Sequence, residues 1–168
     1  MRGFLGVIAC FLAIFIGGCG SAGCLDNGST LPLAGLFSSE TGSAISVDSL
    51  EIRGVGAPND SVLLNPARAT ASVYLPFRAD YEEVRYVFSI KSKGLDYPWL
   101  YDTITFRYQT IPYFASADCG AMYIYRLSGL ATTHNLIDSV TVTDSLFTNV
   151  DRQQIKIFYR TGEEASDR

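Results

Sequence analysis

Beyond residue 30 the chain alternates apolar and polar side chains in one segment after another, and no long window carries a 3.6-residue apolar period. Val84, Tyr86, Phe88 and Ile90 share one parity while Glu83, Arg85, Ser89 and Lys91 share the other, with Val87 the one breach. Successive strand residues point to opposite sides of a sheet, so this pattern belongs to a strand with one face buried. Leu100, Ile104, Phe106 and Tyr108 stand in the same relation to Thr103, Thr105 and Arg107. So do Leu136, Val140 and Val142 to Ser139, Thr141 and Thr143, and Ile155, Ile157 and Tyr159 to Gln154, Lys156 and Arg160. Ala71, Val73, Leu75 and Phe77 make another run, and near-continuous Ala121–Tyr125 predicts a central strand covered on both faces. In Ile45, Val47, Leu50 and Ile52 the phase slips at Asp48-Ser49, where a bulge or a strand start is expected. Turn chemistry separates these runs at Gly54–Asp60, Lys93–Asp96 and Ser128-Gly129. About seven to nine short strands predict an all-β fold, an antiparallel β-sandwich of Greek-key, loosely immunoglobulin-like form.

The 168 residues hold one such domain. Thirteen Lys and Arg against seventeen Asp and Glu leave −4, with no basic run, so nucleic acid is excluded as a partner. Hydrophobic residues make up 48%, and much of that surplus lies in the uncharged run Phe4–Ile16 behind Arg2. Such a run has the outline of a signal peptide and is too short to span a bilayer. Ile16-Gly17-Gly18-Cys19 follows: an aliphatic residue, two small ones and a thiol. This order resembles the lipobox of bacterial lipoproteins, which implies a lipidated Cys19 as the first mature residue. The plainer reading is ordinary secretory cleavage near Ser21-Ala22-Gly23. The expected organisation is a signal peptide over 1–18, a lipidated tether over 19–30, a sandwich over 31–160 and a polar tail over 161–168. Without Arg2 the mature chain carries −5, so its membrane attachment rests on lipid and not on charge. Gly20 is not the Asp that retains some lipoproteins at the inner membrane, which makes the outer membrane the expected location, with the leaflet unspecified.

Of four cysteines, Cys10 leaves with the signal and Cys19 carries lipid. Cys24 and Cys119 remain, and in an oxidising compartment an even remainder favours one disulfide. It would close a loop of about 96 residues, worth about 4–5 kcal/mol in the chain-entropy view. With His134 as the single histidine, a cysteine-based zinc site lacks ligands, and no metal or cofactor is expected.

Ile111–Gly120, the tyrosine-rich run after it, Thr133–Val140, Ser46–Leu50 and Ile155–Tyr159 together resemble an uncharacterised family of Bacteroidetes lipoproteins. The best-defined part is Pro112-Tyr113-Phe114 leading to Cys119-Gly120, and Cys24 matches the family's early cysteine. The resemblance implies location and fold and supports the Cys24–Cys119 pairing, but implies no chemistry. The family's acidic residues between its first two cysteines are replaced here by Gly20–Gly23.

Five tripeptides read Asp, hydroxyl residue, aliphatic, centred on Ser49, Ser61, Thr103, Ser139 and Ser145. They resemble the O-glycosylation acceptor motif of Bacteroidetes exported proteins. The structural alternative is that Asp and Ser cap turns before a strand opens. Tyr97, Trp99 and Tyr101 alternate, and an extended backbone would turn all three rings one way, as a face for sugar stacking or as core. No nucleophile elbow, phosphate loop or metalloprotease motif accompanies His134, and Glu82-Glu83 point to opposite faces of a strand. The expectation is a lipid-anchored envelope protein acting by interaction with an envelope protein or glycan and not by catalysis. The alternative is a carbohydrate-binding accessory lipoprotein using the Tyr97, Trp99 and Tyr101 face.

Overall fold

The computed structural model describes residues 30–161 apart from 59–60, 68, 92–96, 98–99 and 117–119. The expected signal peptide, most of the tether, and residues 162–168 of the expected tail lie outside the described residues. Ten strands are described: β1 (Leu33–Ser38), β2 (Leu50–Gly54), β3 (Val62–Ala67), β4 (Ser72–Tyr74), β5 (Glu83–Ile90), β6 (Tyr101–Ser116), β7 (Gly120–Thr132), β8 (Ile137–Val142), β9 (Leu146–Phe147) and β10 (Gln153–Tyr159). They form a four-stranded sheet in the order β4-β1-β10-β8 and a six-stranded sheet in the order β3-β2-β5-β6-β7-β9. The two sheets pack as a β-sandwich, as the alternation predicts. One ladder departs from antiparallel pairing: β1 and β10 run parallel, Leu36 opposite Ile157. A parallel pair needs a long crossover connection, and here the rest of the domain supplies it.

Each sheet contributes its predicted apolar parity to one core. Leu36, Ile155 and Ile157 enter from the smaller sheet; Leu50, Ile52, Val84, Tyr86, Phe88, Ile104, Phe106, Tyr108 and Tyr125 enter from the larger. Full burial of a side chain of this size stabilises by roughly 1.5–3 kcal/mol. Phe77 lies in the β4–β5 connection and is surrounded by aromatic rings. Its centroid is 4.5 Å from Tyr108 in a stacked pair, 5.3 Å from Phe106, and 5.5 and 5.2 Å from the edge-on rings of Tyr125 and Phe147. Three tyrosine hydroxyls then clamp the backbone of this connection. Tyr86 donates to Pro76 O, Tyr125 to Phe77 O at 3.3 Å, and Tyr108 to Arg78 O at 3.0 Å. These bonds satisfy polar atoms that the core would otherwise strand. Burial pushes all three hydroxyls above the ordinary tyrosine value. Tyr159 is likewise raised, by burial first and then by the charge of Asp102.

The slip at Asp48-Ser49 is a strand start. Ser49 has φ 56°, the Asp48 carboxylate accepts Ala69 N–H at 2.7 Å, and β2 opens at Leu50. Other expectations need correction. Ser128-Gly129 is no turn but lies inside β7, where the register against β6 shifts by one residue. A Cβ on Gly129 would meet the Arg107 Cβ at 3.4 Å, so the glycine marks a bulge with close strand approach. Ala121–Tyr125 is not covered on both faces, because Ala121 and Tyr123 are exposed. Gln154, expected on the wet face of β10, is buried, its Nε2 donating to Leu146 O at 2.9 Å. In β8 the fully buried residue is Ile137, of opposite parity to Val140 and Val142. The Ala71–Phe77 run narrows to the three residues of β4, with Leu75 and Phe77 buried beyond it.

Candidate functional site

Of the candidate residues, Cys19, Cys24, Cys119 and Trp99 lie outside the described residues. Tyr97 is exposed, whereas Tyr101 is half-buried at the start of β6. Lys91 Nζ donates to the Tyr101 hydroxyl at 3.1 Å and lies 4.8 Å from the ring centroid. The same ammonium is 3.7 Å from the carboxylate of buried Glu51, which also accepts Arg53 Nε at 2.7 Å. Glu51, Ser89 and Tyr101 stand in register across β2, β5 and β6, so this tyrosine belongs to a charged row on the outer sheet face. At the other end of the β5–β6 ladder, Glu83 holds Arg85 at 3.4 Å and Arg107 at 2.9 Å.

The described aspartates of the five tripeptides have structural work. Asp102 is 1% exposed. Its carboxylate accepts Thr133 Oγ1 at 2.6 Å and the N–H groups of Asn135, Leu136 and Ile137 at 2.9, 2.7 and 2.8 Å. That fixes the turn by which the chain leaves β7 for β8. Asp144 accepts Leu146 N–H at 2.9 Å and Arg152 at 2.6 Å, and the bond from Leu146, followed by Arg152, lowers its pKa. Asp138 pairs with Arg160 at 3.5 Å. Among the hydroxyl residues, Ser61 and Ser145 are exposed, while Ser49, Thr103 and Ser139 are half-buried. His134 is exposed, its Nδ1–H donating to Asp138 O at 2.8 Å. Among the described residues no cluster of three or more His, Cys, Asp or Glu side chains could hold a metal ion.

Two surface features stand apart from this bonded frame. The first is a groove of about 810 Å³ between the β2–β3 turn and the β4–β5 connection, with Val55, Ser61, Arg78, Tyr81 and Arg85 in its walls. Its size is that of a small-molecule cleft, yet both its arginines are engaged: the Arg78 guanidinium lies 3.8 Å from the Tyr81 ring centroid and Arg85 pairs with Glu83.

The second is the distal half of the β6–β7 hairpin. The β5 ladder stops at Arg107, while β6 and β7 continue together to Ser116 and Gly120. In this two-stranded ribbon Ile111 pairs with Ile124, Pro112 with Tyr123, Tyr113 with Met122 and Phe114 with Ala121. All eight positions are apolar or aromatic. Paired residues share a face, so Pro112, Phe114, Ala121 and Tyr123 line one side, and Ile111, Tyr113, Met122 and Ile124 the other. Phe114 is 69% exposed, and Tyr113 and Tyr123 are each 46% exposed. Tyr108 N–H points away from β7 to Glu82 O at 2.8 Å. Pro112, at the same parity, therefore puts its missing donor on the edge of β6 that no described strand covers. At the opposite edge Thr30 Oγ1 donates to Tyr123 O at 2.7 Å. The tether thus ends against the ribbon.

The sheet order and this projecting hairpin define a two-sheet β-sandwich with an apolar ribbon at the end where its amino-terminal segment arrives. Residues 49–159 match the model of DUF6452, a family of unknown function, and the chain belongs to that family. β1 and Thr30 lie outside the matched segment. No curated protein and no solved structure matches the chain. Beside the Tyr97, Trp99 and Tyr101 stretch, of which Trp99 lies outside the described residues, the structure shows a second aromatic set in Tyr113, Phe114 and Tyr123. The sequence signal for it was a proline inside an apolar strand pair, which places that stretch at a sheet edge.

Proposed function

We propose that the chain is a Bacteroidetes outer-membrane lipoprotein, acylated on Cys19, that works by contact and not by catalysis. The single observation carrying this reading is the apolar ribbon, with Phe114 and Tyr123 exposed on one face and Tyr113 on the other, and hydrogen-bonded through Tyr123 to the end of the amino-terminal segment. Lipid on Cys19 would act within reach of it, because the eleven residues from Cys19 to Thr30 span at most about 40 Å. The Thr30–Tyr123 bond also supports the Cys24–Cys119 disulfide, since it draws together the segments that carry the two cysteines. Ser61 and Ser145 offer the exposed hydroxyls for O-glycosylation.

A Cys19→Ala chain is expected to lose both palmitate labelling and retention in the envelope fraction, and persistence of both would refute the anchor. Intact mass of the native protein should show acyl chains, and Cys24 and Cys119 should resist alkylation until reduced. A mass that lipid alone accounts for would remove the glycan from the reading.

A further inference from the structure

We infer that the ribbon formed by residues 111–114 and 121–124 dips into the headgroup level of the bilayer that anchors the chain, an inference that rests on the lipoprotein reading above. A docked protein covers one face of a ribbon. Here Phe114 and Tyr123 are exposed on one face and Tyr113 on the other, Met122 alone of the eight is buried, against Asn149, and the side chains of all four cross-strand pairs lack charge. A lipid interface is the surrounding that meets both faces together. Tyrosine suits that depth, with its ring in the apolar boundary and its hydroxyl in water. The backbone limits how deep the ribbon goes. The outer edge of β6 beyond Tyr108 has no described strand beside it, and unpaired peptide groups are costly in hydrocarbon. Pro112 removes one such donor, while the rest require hydrated headgroups. Thr30 meets the β7 edge of this same ribbon, so acyl chains on Cys19, eleven residues earlier in the chain, and the aromatic ribbon would enter one membrane from one end of the domain.

The chain has a single tryptophan, Trp99, so Trp99→Phe combined with Phe114→Trp leaves one fluorophore at the tip. Ala131→Trp on the same background is the control. Ala131 is exposed and pairs with Thr105, nine residues along β6 from Phe114, or about 30 Å. Each protein, processed natively and isolated from the envelope, is incorporated into phosphatidylethanolamine–phosphatidylcholine vesicles with brominated acyl chains. The tip tryptophan should shift to the blue and lose most of its emission, independent of salt, while the control keeps its emission. Adding Tyr113→Ser and Tyr123→Ser should restore tip emission. Absence of quenching at the tip, with palmitate still on Cys19, overturns the insertion and leaves the anchor standing. Tip quenching in a protein that takes no label on Cys19 refutes the anchor and supports the insertion. A sedimenting dimer whose tip tryptophan is shielded from bromine and from aqueous iodide overturns it in favour of self-association through the ribbon.

Discussion

Asp102→Ala is expected to destabilise the domain by about 4 kcal/mol or more, the largest loss from any single polar side chain described here. The carboxylate is 1% exposed and accepts three backbone N–H groups and one hydroxyl within 2.9 Å. Alanine leaves those donors facing a cavity. Each stranded donor costs roughly 1–3 kcal/mol, and a domain of this size has only about 5–15 kcal/mol in hand. Asp102→Asn keeps one acceptor oxygen and should cost about half as much. Urea unfolding followed by near-ultraviolet dichroism reads both variants. A loss below about 1 kcal/mol for Asp102→Ala would mean that the β7–β8 turn holds itself without the carboxylate.

Alkaline pH should unfold the protein steeply, because the tyrosine clamp works only when protonated. Tyr86, Tyr108, Tyr125 and Tyr159 are all raised above the ordinary value of 10.0 by burial. A group raised in the folded state contributes stability that is complete below its unfolded pKa and is lost as pH climbs towards the folded one. Between those limits each tyrosine removes about 1.4 kcal/mol per pH unit. With four acting together the loss above about pH 10 is at most about 5.5 kcal/mol per pH unit. Urea midpoints measured across that range should fall accordingly, and buried tyrosinate absorbance should grow in step with loss of tertiary signal. Tyr86→Phe gives up the bond to Pro76 O and should flatten the pH slope by about one quarter. A slope unchanged by that substitution would show that another group drives the transition.

Most of the architecture was legible because a sandwich keeps one face of each strand wet. Ile104, Phe106 and Tyr108 are buried, and Thr103, Thr105 and Arg107 are not. The ribbon was harder to read for a physical reason. Ile111–Phe114 and Ala121–Ile124 are apolar at consecutive positions, a pattern shared by a strand buried on both faces and by one that has left the sheet. Only the end of the β5 ladder at Arg107 separates the two. Ser128-Gly129 misled in a similar way, since glycine serves both to reverse a chain and to let two strands approach at a bulge. The Asp-Ser and Asp-Thr tripeptides were equally ambiguous. Asp48, Asp102 and Asp144 each bond backbone N–H groups, and no local pattern distinguishes that use from an enzyme's recognition signal.

The parallel β1–β10 pair bears on when the chain can fold. β1 lies between β4 and β10, and β10 between β1 and β8, so the smaller sheet closes only through the last strand to be synthesised. Leu36 and Ile157 meet across roughly 120 residues of intervening chain, a separation that slows folding because loop entropy is spent before the contact forms. A nascent chain still missing Gln153–Tyr159 has no partner for the inner edge of β1, so the smaller sheet cannot close over the larger one. On the lipoprotein reading proposed above, the chain would cross a membrane in extended form, and that delay would keep the smaller sheet open until β10 has crossed.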